Sequence, residues 1–208
     1  MIFFEETFYQ VKETGKNLSG SPFPSLRIIY EERQFLKDNV TVISDIGFHQ
    51  YWWAKKIFFY KPKYFLTGMG FQTMGIYLPC AIAAFLSRPK EKGFYLSIDE
   101  SFLIYSIKLE TAVRLKLSIV HMVWEDGEYN LVKIQQEQKY DCSFAASFGQ
   151  INTIKYVQSF GIKALLIEYT YQIRYTLKSA FKENFPVVLS ISIDYSDNEK
   201  IIQTINEI

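Results

Sequence analysis

Six short apolar runs, each separated from the next by enough residues for a helix, constrain this 208-residue chain more than any other feature. They are Thr41–Ser44, Tyr64–Leu66, Gly93–Ile98, Ile119–Trp124, Ala164–Glu168 and Val187–Ile193. Most are apolar at successive positions, so both faces of the strand must be covered, which is the habit of parallel sheets. The intervening stretches read as helices over Leu26–Asp38, Gln50–Tyr60, Thr73–Leu86, Ser101–Leu115, Tyr129–Gln136, Ile154–Phe160 and Tyr171–Phe181. Gly161 stops the sixth of them as a C-terminal glycine does. Strands alternating with helices predict βαβ units and hence a doubly wound α/β domain. Its expected form is a mostly parallel six-stranded sheet with helices on both faces. Residues 1–24 are polar and rich in turn formers, and read as a linker-like segment ahead of a single domain over 25–208.

Composition narrows the function classes. Hydrophobic residues make up 49% of the chain, enough to bury a core. Formal charge is +1, from 23 basic and 22 acidic residues, so electrostatics make no case for nucleic acid or an anionic membrane. The longest apolar run, Met74–Leu86, is too short to span a bilayer. The first ten residues carry no basic region ahead of their apolar ones, unlike a secretory leader. Cys80 and Cys142 lack metal-site spacing and read as free thiols. A soluble, cytoplasmic protein is the expectation.

In doubly wound sheets ligands bind beyond the carboxyl ends of the strands. Two strands end in acids there: Gly93–Ile98 runs into Asp99-Glu100-Ser101, and Ile119–Trp124 into Glu125-Asp126-Gly127-Glu128. Adjacent strands would bring Asp99 and Asp126 to one crevice. Such a pair suits Mg²⁺, which prefers oxygen ligands. The same acids could instead cap the helices that follow. A glycine-bearing segment, Thr67–Gly75, joins a strand to a helix. It is either a structural turn or a place where backbone amides approach an anion. His121, mid-strand among apolar residues, reads as a core histidine, and Trp52, Trp53 and Trp124 as packing residues.

Six segments in order carry a resemblance: Asp45–Gln50, Gly70–Pro79, Leu109–Lys116, Ile119–Asp126, Tyr156–Gly161 and Asp194–Asn198. Over roughly residues 24–198 the chain resembles the C-terminal thiamine-diphosphate-binding domain of catabolic acetolactate synthase, a thiamine-diphosphate-dependent enzyme. The resemblance implies two cofactors, thiamine diphosphate and Mg²⁺. It implies that Asp99, Asp126 and the backbone carbonyl of Glu128 hold the metal, which bridges to the diphosphate. It implies that Met74 supports the bent cofactor, although pattern alone makes Met74 a core residue. His49 and Gln50 match the segment approaching the diphosphate, and Gly70, Phe71, Gln72, Ser101 and Tyr129 line the same side.

The chain departs from the family at one motif. Where the family has Gly-Asp-Gly, this chain has Ile98-Asp99-Glu100, followed by Ser101. Glu100 sets a carboxylate near a diphosphate unless it points to solvent or joins the metal shell, so weakened cofactor affinity is expected. The implied reaction condenses two molecules of pyruvate to acetolactate with loss of CO₂. No segment matches the family's pyrimidine-binding domain, whose glutamate activates the cofactor. The expectation is therefore half of an active site, completed in a homo-oligomer or by a separate chain carrying that domain. The alternative is a catalytically silent α/β module or scaffold acting through a partner chain. Whichever holds, the free domain should expose an apolar patch.

Overall fold

The computed structural model describes residues 11–36, 40–56, 64–68, 70–89 and 91–196. The expected helix ends at 37–38 and 57–60, Met69 in the glycine-bearing segment, the motif end at 197–198 and the apolar start of the chain lie outside these residues. The strands are β1 (Phe23–Pro24), β2 (Thr41–Ser44), β3 (Phe65–Leu66), β4 (Gly93–Ile98), β5 (Ile119–Glu125), β6 (Lys163–Ile167) and β7 (Val187–Asp194). The helices are α1 (Ser25–Phe35), α2 (Phe48–Lys56), α3 (Tyr77–Ser87), α4 (Asp99–Tyr105), α5 (Leu109–Arg114), α6 (Asn130–Tyr140), α7 (Thr153–Gln158) and α8 (Thr170–Ala180).

The strands form one sheet in the order β3-β2-β4-β5-β7-β6, and every pairing between them is parallel. The six expected strands are all present, and β1 is a seventh. It lies beside β7 just past the end of β6, with Phe23 opposite Ile193. Two residues of the segment read as linker thus belong to the sheet. A two-residue edge strand holding a proline leaves no alternation or apolar run to read. The linker-like segment is also tied down at Arg27, whose guanidinium donates to the carbonyls of Lys16 (2.6 Å) and Leu18 (3.0 Å).

The sheet has an apolar layer on each face. Phe94, Leu96, Met122, Trp124, Leu189 and Ile191 point into a cluster with Ile28 of α1, Trp53 of α2 and Leu177 of α8. Their strand neighbours Tyr95, Val123 and Val188 point the other way, towards Leu78 and Phe85 of α3, Phe102 of α4, Leu109 of α5 and Val157 of α7. This two-sided burial explains the continuous apolar runs of β4 and β5. His121, Trp52, Trp53 and Trp124 are buried packing residues, as expected.

Three expected helices differ most in extent, the first being the one expected over Tyr129–Gln136, which runs on to Tyr140. The helix expected from Thr73 begins only at Tyr77, because Gly75 adopts φ +83°. A Cβ there would also sit 2.8 Å from the Tyr105 ring and 2.9 Å from the Ser101 carbonyl oxygen. The helix expected over Ser101–Leu115 is two helices joined by a 3₁₀ turn, Ser106–Lys108. At the break, the Ser106 hydroxyl bonds the Leu103 carbonyl (3.2 Å) and the Tyr156 hydroxyl (2.8 Å). A serine that satisfies local backbone in this way competes with helix continuation.

Candidate functional site

Strand order places the site. β2 and β4 are neighbours whose chains continue to opposite sides of the sheet, and a crevice opens beyond strands arranged in this way. β4 and β5 lie side by side with Ile98 opposite Trp124, so Asp99 and Asp126 leave the sheet together. The Asp99 Oδ2 accepts the backbone N–H groups of Asp126 (3.2 Å) and Gly127 (2.8 Å). Gly127, at φ +74°, makes the turn that presents its amide.

These acids do not serve as helix caps. Asp99 is the first residue of α4, and no side chain caps that helix or α6. Asp126 accepts the Asn130 side-chain amide (3.0 Å) and, at 3.4 Å, the Glu128 N–H. Carboxylate oxygens of Asp99, Glu100 and Asp126 lie within 4.8 Å of one another. Asp99 and Glu100 are 8% and 5% exposed, and Asp99 Oδ1 and Glu100 Oε2 have no hydrogen-bond partner among the described residues. No cation of the described residues pairs with the three acids.

Glu100 therefore does not point to solvent; it joins the acidic cluster. Two full charges about 4 Å apart repel by about 4 kcal/mol at an effective dielectric of about 20. Burial, and then the neighbouring Asp99, push the Glu100 carboxyl up to about 10. Burial, followed by Asp99, raises Asp126 to about 7. Tyr195, beyond β7, has a buried hydroxyl raised by burial and then by Asp126, Glu100 and Asp99. Glu128 is engaged elsewhere through its side chain, which pairs with Lys133 at 2.7 Å and accepts the Ser147 hydroxyl at 3.3 Å. Its backbone still follows the Asp126-Gly127 turn.

The remaining predicted residues form a second group. His49, at the start of α2, is fully buried beside Trp124 with ring centroids 6.1 Å apart. Burial lowers it to about 3, an effect that the Asp45 and Leu96 backbone partly offsets. Gln50 donates its side-chain amide to the Thr67 hydroxyl (2.8 Å) and the Gly68 carbonyl (3.2 Å), binding the loop after β3 to α2. Gly70, Phe71 and Gln72 are exposed, and Phe71 is fully so. Met74 is half-buried next to the Gly75 turn. The Ser101 hydroxyl donates to the Ile98 carbonyl at 3.1 Å. Tyr129 packs edge-on against Phe148.

A cavity of about 260 Å³ opens beside Asp99 and Asp126, with Glu125, Phe148, Thr153 and Ser192 in its walls. Residues 49–50 and 70–74 are not part of its lining. The structure thus brings Asp99, Glu100 and Asp126 together and leaves residues 70–72 on an exposed side that leads, through the Gly75 turn, to Ser101 of α4.

One residue without an assigned role in the sequence reading organises that side. Asp45 ends β2 and is fully buried. It accepts the Ile46 N–H (2.8 Å), the Gly75 N–H (3.0 Å) and the Tyr95 hydroxyl (2.6 Å). Burial raises its carboxyl and these bonds partly offset the rise. As a third acid directly after a buried strand, it was recognisable by the rule that singled out Asp99 and Asp126.

Comparison with known proteins places this geometry. The profile of the thiamine pyrophosphate enzyme, C-terminal TPP binding domain, matches residues 45–191. The chain is 42% identical over 173 residues to an acetolactate synthase of Bacillus subtilis (strain 168), covering 83% of this chain and 30% of that protein. It is 34% identical over 184 residues to the catabolic acetolactate synthase of Raoultella terrigena, covering 88% of this chain and 33% of the relative. The chain thus spans about a third of the length of these relatives. The crystal structure of benzoylformate decarboxylase from Polynucleobacter necessarius superposes with a TM-score of 0.77 at 17% identity. That likeness covers 84% of this chain and 34% of the decarboxylase chain, and it speaks for the fold alone.

Proposed function

The chain belongs to the family of C-terminal, TPP-binding domains of thiamine pyrophosphate enzymes, and on that premise we propose that it holds thiamine diphosphate and Mg²⁺ for an acetolactate-synthase-like reaction on pyruvate. The observation carrying this reading is the pairing of Asp99 and Asp126 at the ends of adjacent strands, with a buried carboxylate oxygen of Asp99 left without a partner. Hard oxygen donors on a tight turn fit Mg²⁺. In this reading Asp99, Asp126 and the Glu128 carbonyl would hold the cation, which would supply the positive charge that the diphosphate needs.

Thiamine diphosphate, when bound, supplies the nucleophile and the electron sink for decarboxylating pyruvate. The chain's own residues position and shield. Asp45 fixes the Gly75 turn and with it Met74, the apolar support for the cofactor's bend. Gln50 pins the loop leading to residues 70–72, and His49, held neutral by burial, adds no charge beside the diphosphate. Gly70, Phe71, Gln72, Ser101 and Tyr129 complete that side. A glutamate carried outside these 208 residues would activate the cofactor, from a second copy of a longer chain or from a separate chain.

Glu100 favours a second reading, a catalytically silent module, because its carboxyl group stands beside Asp99 and Asp126 where the diphosphate would lie. The deciding experiment mixes the chain with a separately produced acetolactate synthase fragment that carries the preceding domains. Acetolactate should form from pyruvate in the mixture and not with either part alone. Cofactor binding without product in the mixture would favour the silent module.

A further inference from the structure

The metal-binding reading leaves Glu100 unexplained, since a diphosphate would be expected to repel it. We infer that Glu100 is a third carboxylate ligand, and that it lets this chain bind a divalent cation without thiamine diphosphate. The inference rests on the reading that Asp99 and Asp126 face the cofactor's metal, and it extends that reading to a residue outside the implied metal set.

Three observations support it. Oxygens of Asp99, Glu100 and Asp126 lie within 4.8 Å of one another, a spacing that one ion can bridge. Glu100 is 5% exposed and turned into the cluster, although an exposed rotamer would relieve its repulsion. Its Oε2 and the neighbouring Asp99 Oδ1 are buried with no donor group of the described residues against them, which leaves oxygens that a cation can take up.

The ligand class follows from the donors. Three carboxylates and no nitrogen or sulfur suit hard divalent ions such as Mg²⁺, Mn²⁺ and Ca²⁺. A site with two carboxylates relies on phosphate oxygens to complete a stable shell. The third carboxylate replaces them. The cation then binds first, and the diphosphate meets an ion whose charge Glu100 has already partly neutralised.

Mn²⁺ titration of the full chain tests this, with free Mn²⁺ followed by electron paramagnetic resonance and no thiamine diphosphate present. One Mn²⁺ should bind per chain. Glu100→Gln, a near-isosteric change, should weaken binding at least tenfold. Its unfolding temperature without metal should be no lower than the parent's, which separates lost ligation from lost folding. Glu110→Gln, on the exposed face of α5 and paired there with Arg114, should leave Mn²⁺ affinity unchanged. Mn²⁺ binding of the parent only when thiamine diphosphate is added would overturn the inference and leave the cofactor reading intact. Equal affinity in the parent and Glu100→Gln would also overturn it. Absence of metal binding both with and without thiamine diphosphate would remove both.

Discussion

At the residue scale, the acids at the strand ends and the buried histidines give the metal-free chain opposing pH dependences. Glu100 and Asp126 hold their protons more tightly in the folded chain, near 10 and 7. A raised carboxyl contributes stability that is complete below its unfolded value and is lost as pH rises through the folded one. His49 and His121 are lowered to about 3, so their contribution is present above the unfolded value and is lost as pH falls. Between pH 7 and 9 the unfolding free energy of the metal-free chain should fall, by at most about 1.4 kcal/mol per pH unit. Urea denaturation across that range should show the slope in the parent. It should be shallower in Glu100→Gln and under saturating Mg²⁺, with the acid limb unaltered. A slope that is unchanged in Glu100→Gln would assign it to other groups. Asp45→Ala should cost at least about 3 kcal/mol, because it strands the Tyr95 hydroxyl and two backbone N–H groups at about 1 kcal/mol or more each. Denaturant unfolding reads this directly, and a loss below about 1 kcal/mol would mean that water replaces the carboxylate. Asp99 and Asp126 were legible in the sequence because the strands before them were. The inward turn of Glu100 was not, since a carboxylate beside other carboxylates ordinarily seeks water.

At the scale of single elements, the turn before α3 illustrates what a sequence pattern conceals. The apolar stretch from Thr73 to Leu86 reads as a continuous helix, yet its first turn is unwound by a contact thirty positions away in sequence, Asp45 to the Gly75 amide. Periodicity reports local preference and cannot register that bond. Gly75→Ala should destabilise the chain by about 2–4 kcal/mol. The left-handed backbone contributes about 1–2 kcal/mol of this and the clash with Tyr105 and the Ser101 carbonyl supplies the rest. A thermal shift assay comparing it with Gly70→Ala, where an added Cβ meets nothing within 4 Å, isolates the effect. Equal unfolding temperatures for the two variants would mean that the turn relaxes freely. The sheet was easier to read than the helices. Strands covered on both faces leave uninterrupted apolar runs, whereas the break at Ser106 depends on a tyrosine from α7.

On the scale of the whole molecule, the notable feature is apolar surface near the candidate site. Phe71 is fully exposed, and Ile76, Ile104 and Ile107 are 40%, 49% and 68% exposed. Ile76 and Ile104 are neighbours across the Gly75 turn, where a Cβ on the glycine would lie 3.0 Å from Ile104. Exposed apolar side chains grouped in this way call for a protein surface as cover. Sedimentation equilibrium should show association that grows with concentration, and the double change Ile104→Lys, Ile107→Lys should abolish it. A parent chain that stays monomeric at millimolar concentration would contradict this. The central claim is that adjacent strand ends hold a cation and through it a diphosphate. Thermal unfolding with thiamine diphosphate and Mg²⁺ tests it most directly. Ligand at about 100 times its dissociation constant should add roughly 2.7 kcal/mol and raise the midpoint by several degrees in the parent, and by nothing in Asp126→Asn. An unchanged midpoint in the parent at millimolar ligand, or an equal rise in Asp126→Asn, would contradict the account.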